Sequence, residues 1–281
     1  MKNVLVLIAL CLLGSTCVFA QATAPTTLPG NPFFQDWETP FQTPAFSKVT
    51  LEHYLPGIEE GIKRQKAEID AITGNTEPPS FVNTIEAMEK SGTLLEKASD
   101  MFFILNSAHT NDEMQKLAKE IAPMLAKHND DINLNEKLFT RVKDVFSRKD
   151  SFNLTTEQHK VLKDSYDNFI RGGANLAADK KEIFRKNNEE LSVLALKFGE
   201  NLLKETNAVA LVIEDKSDLA GLPEHVVQAA AETGKAKGHE GKWAFTLQKP
   251  SFIPFLQYAE KRELREKLFK GYINRGNNNN E

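Results

Sequence analysis

Residues 215–224 read D-K-S-D-L-A-G-L-P-E, residues 241–252 read G-K-W-A-F-T-L-Q-K-P-S-F, and residues 258–275 read Y-A-E-K-R-E-L-R-E-K-L-F-K-G-Y-I-N-R. Leu219, Gly221, Leu222 and Pro223 make a turn that enters a helix, with the proline in the first turn, where it removes no hydrogen bond. Trp243, Phe245 and Leu247 alternate as a strand does, and Lys249-Pro250 ends that strand. Lys261 to Tyr272 forms a charged helix with Leu264, Leu268 and Tyr272 at spacing four.

Upstream, Val209 to Ile213 is apolar and β-branched, so it pairs with Trp243 to Leu247. A helix over 223–233 and a Gly/Lys loop over 234–242 lie between the two strands. From Pro56 up to the first of these strands the chain has a helical period. Ile58, Ile62, Ile69 and Ile72 share a face of a helix over 56–72 that ends at Thr73-Gly74-Asn75. Phe81, Ile85 and Met88 begin a second, interrupted by Gly92 and continued by Leu95, Phe102 and Leu105. Asn111-Asp112 starts a third, in which Pro123 predicts a kink. Leu138, Phe139, Val142 and Phe146 mark a short fourth.

Thr155 and Gln158 fit a capping box, and Gly172-Gly173 stops the helix that follows them. The longest helix, over 178–205, carries Ile183, Asn187, Leu191, Leu194, Phe198 and Leu202 in one stripe, which reads as core.

The L-x-G-L-P turn (219–223), the W-x-x-T-L strand followed by proline (243–250) and the R-x-L-R-E helix (262–266) resemble, in this order, the zinc metallopeptidases of the thimet oligopeptidase, neurolysin, oligopeptidase A and peptidyl-dipeptidase Dcp family. The F-I-R-G-G-A-N-L turn (169–176), the F-x-x-N helix end (198–201) and the entry from Phe46 through His53-Tyr54-Leu55-Pro56 to Ile58 are similar to the same family. The likeness covers nearly all of the chain after residue 20. It implies a mainly α fold, the multi-helix wall of a channel-type peptidase, with a small two-stranded β insert. The Dcp-like branch, which removes C-terminal dipeptides, is the nearer in texture. The family's H-E-x-x-H zinc helix lies beyond the region that Glu281 closes. The resemblance therefore assigns zinc, a general-base glutamate and oligopeptide substrates to a complete protein rather than to these residues.

The residues themselves supply no zinc site. H-E-x-x-H needs two histidines one helical turn apart, and no two of His53, His109, His128, His159, His225 and His239 stand four apart. His239-Glu240 comes nearest, but Trp243 takes the second ligand position and Gly238 and Gly241 make a loop, so it reads as a solvated turn. Gly241-Lys242 is a near miss for a phosphate loop, since Ala236 replaces its first glycine, Trp243 its Ser/Thr, and it runs from helix to strand. Glu59-Glu60, Asp130-Asp131 and Glu189-Glu190 read as solvated faces, and Lys261 to Lys267 as surface pairing at spacing four. No catalytic, cofactor-binding or metal-ligating residue is assigned.

Composition and targeting bound the rest. With 26% charged residues, a net charge of −4 and no basic run longer than two, the chain lacks the basic stripe of a nucleic-acid binder. Residues 1–20 read as an export signal, with Lys2, an apolar run over 4–13 and Val18-Phe19-Ala20 before the cut, so the mature chain is expected to start at Gln21, with Thr23 as the alternative. The apolar run is too short for a permanent bilayer anchor, and Thr16 and Gly14 disfavour a lipid anchor on Cys17. Both cysteines fall in this segment, so the mature part has neither disulfide nor thiolate. Residues 21–48 read as an extended Pro- and Thr-rich arm whose aromatics lie against a surface, and 49–281 as one helical unit. The form of the signal fits the bacterial periplasm. The rival to a peptidase fragment is a non-catalytic helical module that binds peptides or scaffolds.

Overall fold

The structure is a computed structural model, and it describes residues 30–277. Its helices are α1 (Leu51–Gly74), α2 (Ala87–Glu89), α3 (Thr93–Ala108), α4 (Asp112–Asn133), α5 (Glu136–Ser147), α6 (Thr156–Arg171), α7 (Ala178–Ala208), α8 (Glu224–Ala236), α9 (Lys249–Tyr258) and α10 (Arg262–Ile273). Strands β1 (Ala210–Ile213) and β2 (Trp243–Thr246) pair antiparallel with Ala210 opposite Thr246 and Ile213 opposite Trp243. The expectation of a mainly α chain with one small two-stranded insert holds. The signal segment, the Gln21 start and the asparagines after 277 lie outside the described residues.

Three apolar cores organise these elements. Tyr54 and Ile58 of α1, Ala98, Met101 and Phe102 of α3, and Met114 and Ile121 of α4 close around Phe33 of the arm. Close approach of α1 and α3 depends on Gly61, where a Cβ would stand 2.7 Å from the Leu95 backbone. A second core joins the end of α1 (Ile69, Ile72) to Leu138 and Val142 of α5 and Leu162 and Phe169 of α6. The third lies beyond α7, where Leu211, Phe245, Phe252, Phe255 and Leu268 bring the hairpin and α8 to α10 together. Each apolar stripe is long enough to decide its helix, since burying one such side chain stabilises by about 1.5–3 kcal/mol.

Local signals act largely as read. Gly92, at φ 82°, separates α2 from α3, and the segment before it (Phe81–Glu86) is a π-helical turn. Thr155 and Gln158 form the reciprocal cap of α6: the Gln158 N–H donates to Thr155 Oγ1 (3.3 Å) and the Thr155 N–H to Gln158 Oε1 (3.0 Å). Gly173 takes φ 88° after α6.

Four readings change. Helix α1 begins at Leu51, with Pro56 inside it. The carbonyl that this proline leaves unpaired belongs to exposed Glu52 in the first turn, where water can reach it. Lys249-Pro250 does more than end β2, because it opens α9, with proline again in the first turn. The arm over 30–48 bends through three single 3-10 turns; Phe33 is buried, but Phe41 projects fully into solvent instead of lying on a surface. The stripe of α7 is not core. Ile183, Leu191, Leu194 and Phe198 are 51%, 61%, 49% and 60% exposed.

Candidate functional site

The histidines are dispersed over the fold, and each has a local structural explanation or an exposed place. His53 Nδ1 accepts the Thr50 N–H (3.0 Å) at the start of α1. His109 caps the end of α3. His159 and His225 sit exposed on α6 and α8, and His239 lies in the exposed loop between α8 and β2. His239-Glu240 is thus the solvated turn expected of it. Only His128 is buried, and its Nε2 meets Gln65 Oε1 at 2.8 Å, while the Gln65 amide reaches Ser91 Oγ. Burial pushes the His128 imidazole below its usual range, against the pull of Asp131. Among the described residues no group of three or more His, Cys, Asp or Glu side chains is placed to hold a metal ion. The donor set of this segment does not fit the zinc that the resemblance attaches to the family.

Asp130-Asp131, read from sequence as a solvated face, belongs to a polar seam between α4 and α7. Asn188 donates to Asp130 Oδ1 (2.7 Å), and Arg185 to Asp131 Oδ1 (2.8 Å). Lys119 of α4 reaches Glu200 at 2.8 Å, and next to the seam Lys181 reaches Glu136 at the start of α5 at 2.9 Å. Burial raises the Asp130 carboxyl, although the Asn188 hydrogen bond and Arg185 oppose it. Burial acts on Asp131 too, but Lys127 and Arg185 together hold it below its usual range. The sequence hid this seam because its residues are polar on both helices, and the apolar period of α7 pointed to the other face.

The charges of 261–267 likewise find more distant partners than expected. Lys261 pairs with Asp218 at 2.7 Å, and Arg265 donates to the carbonyls of Ala259 and Glu260 at the end of α9. Within 261–267, Glu266 shows the pairing at spacing four, with Lys270.

Where α7 passes the α3–α4 corner, a cleft of about 690 Å³ opens. Carboxamides line it from four segments: Asn106 of α3, Gln115 of α4, Asn207 of α7 and Gln248 before α9. Ala118 and Gly199 also line it, and Gln248 Nε2 donates to Asn207 Oδ1 (3.1 Å). A carboxamide carries the donor and acceptor of a peptide group, so this lining can pair with an extended peptide backbone. The volume falls within the range of ordinary ligand pockets.

No family model matches the chain. Curated relatives do. Dipeptidyl carboxypeptidase of Escherichia coli (strain K12) is 37% identical over 239 residues, which cover 85% of this chain and 35% of that protein. The dipeptidyl carboxypeptidase of Salmonella typhimurium (strain LT2) is 35% identical over the same shares. A probable cytosolic oligopeptidase A of Arabidopsis thaliana is 29% identical over 255 residues, 89% of this chain and 36% of that one. The chain spans about a third of the length of these relatives. By sequence, this chain belongs to the thimet oligopeptidase, oligopeptidase A and dipeptidyl carboxypeptidase family, which it matches over about a third of these relatives' length.

Proposed function

We propose that this chain is the N-terminal, helical part of an exported zinc metallopeptidase that hydrolyses short peptides, and that it contributes channel wall rather than catalytic groups. The observation that carries this reading is the 37% identity along 85% of the chain, set against only 35% of the relative's length. A peptidase needs a polarised water, which zinc supplies when protein ligands leave one position open. The histidines of this segment are too scattered to hold it, so ligands and general base belong to polypeptide outside this chain. What these residues do is build a wall. Apolar cores fix α1 to α6, the polar seam holds α7 across them, and the carboxamide-lined cleft offers peptide-pairing groups beside α7. Export to the bacterial periplasm rests on residues 1–20 alone. No described helix is long and apolar enough to cross a membrane.

The second reading, a self-sufficient peptide-binding or scaffolding module, draws its support from the same cleft. Metal analysis and a quenched-peptide assay of purified residues 21–281, with and without chelator, separate the readings from a peptidase complete in itself. The expected outcome is no stoichiometric zinc and no cleavage. One equivalent of zinc with chelator-sensitive cleavage overturns the proposal, and His225, His239 and Glu240 are then the first residues to substitute.

A further inference from the structure

The carboxamides of the cleft beside α7 are only half used by the fold. Thr110 Oγ1 donates to Asn106 Oδ1 (2.8 Å), and Gln248 Nε2 donates to Asn207 Oδ1 (3.1 Å). Each bond engages one atom of each carboxamide. Asn106 Nδ2, Asn207 Nδ2 and Gln248 Oε1 remain for the cleft, and no described residue pairs with the side chain of Gln115. Donors and acceptors thus stand together, contributed by α3, α4, α7 and the segment before α9. Glu200 is the one Asp, Glu, Lys or Arg among the lining residues, and Lys119 already pairs with it at 2.8 Å.

The α7 wall carries a glycine that the packing does not explain. Gly199 lies inside the helix, where glycine is less favourable than alanine. At Gly61 the close approach of α3 accounts for the glycine, but at Gly199 no described atom beyond its own helix lies within 4 Å of where a Cβ would stand. What a Cβ would take up there is space in the cleft. Bare backbone at such a point lets a ligand approach closely. From Ala195 to Asn207 this wall runs roughly 18 Å at 1.5 Å per residue, a distance that an extended chain covers in about five or six residues.

We infer that this cleft holds an internal, uncharged stretch of extended peptide, paired through its backbone with Asn106, Gln115, Asn207 and Gln248 and drawn against α7 at Gly199. The inference rests on the reading of the chain as part of a peptidase, which makes peptide the ligand, and adds which part of the peptide is held. An ammonium or carboxylate group taken into the cleft loses water without finding an opposite charge, since Glu200 is committed to Lys119. The cleft therefore reads neither end of the peptide nor a charged side chain. Pairing with the main chain supplies the affinity, as it does where a peptide adds to the edge of a sheet.

Calorimetric titration of the full chain, with chelator present so that no peptide bond is cut, tests this. The probe is a hexapeptide of alternating alanine and serine, acetylated and amidated at its ends. Parallel titrations use the same peptide with both ends free, and blocked peptides with lysine or glutamate in place of serine. The blocked neutral peptide is expected to bind at least tenfold more tightly than any of these. Gly199→Leu is expected to weaken its binding at least tenfold, and Gln115→Ala severalfold. Gly199→Ala separates affinity from folding, because alanine favours the helix: its Tm is expected to rise while its affinity falls. Affinity unchanged in all three variants, or no binding of the blocked peptide, overturns the site. Equal or tighter binding of the free-ended or charged peptides overturns the restriction to an internal, uncharged stretch. Neither result touches the peptidase reading, which stands or falls on zinc content and cleavage.

Discussion

Arg141→Met removes the fork that ties α5 to the loop between α1 and α2. Arg141 is 8% exposed, and its Nη1 donates to the carbonyls of Asn75 (2.9 Å) and Glu77 (3.4 Å), while Nη2 donates to Asn83 Oδ1 (3.0 Å). Two of these contacts have good length, and a hydrogen bond from a charged donor contributes about 1.5–3 kcal/mol net. Asn83 Oδ1 keeps its Ser80 and Thr84 donors, but the Asn75 carbonyl loses its guanidinium. Against that loss stands the buried Nε, which has no partner and costs roughly 1–3 kcal/mol in the native protein. Methionine keeps the aliphatic stem and removes both terms. The balance centres on a destabilisation of about 2.5 kcal/mol, or roughly 5–10 °C in Tm for a unit of this size. Thermal unfolding followed by circular dichroism measures it, and limited proteolysis reads the freed loop over 75–80. A Tm within about 1 °C of the parent, with the loop equally resistant, refutes the view that this fork holds the α1–α2 connection.

His128 makes the fold acid-sensitive in a defined direction. Burial lowers its folded pKa, so below about pH 6.5 the unfolded chain takes up a proton that the folded chain refuses, and stability falls as pH falls. His128→Gln is expected to flatten the fall in Tm between pH 7 and pH 5, and an unchanged slope contradicts the assignment. Gly221, at φ 82°, sits where a Cβ would meet the Tyr258 carbonyl oxygen at 2.2 Å, whereas Gly238, also at φ 82°, has open space. Gly221→Ala should destabilise by about 2–4 kcal/mol and Gly238→Ala by about 1; equal denaturation midpoints for the two variants would show that the close approach carries no weight.

Much of this architecture is readable from local rules. The L-A-G-L-P turn docks where its glycine allows, with the Glu260 N–H donating to the Ala220 carbonyl (3.0 Å), and the pairing of β1 with β2, though not its register, follows from the two apolar runs. The capping box at Thr155 and the breaks at Gly92 and Gly173 needed no tertiary information. What the sequence conceals are the places where another element overrides the local signal. Pro56 reads as a helix start, yet upstream packing of Tyr54 in the first core extends α1 to Leu51. Helix α9 hides behind Pro250 and Pro254, its helical state supported by burial of Phe252 and Phe255. The apolar stripe of α7 promised a core face, and periodicity cannot say what lies opposite such a face. The α4–α7 seam and the buried His128–Gln65 pair depend on residues 58 and 63 positions apart, which no short-range pattern contains.

We read these residues as one portion of a peptide-hydrolysing enzyme. Intact-mass spectrometry of the native gene product, purified from its own cells and assayed on quenched oligopeptides with and without chelator, tests that claim most directly. The expected result is a mass well above the 31.5 kDa of this chain and chelator-sensitive cleavage of short peptides. A product consisting only of residues 21–281, pure and folded but without hydrolysis, would contradict it.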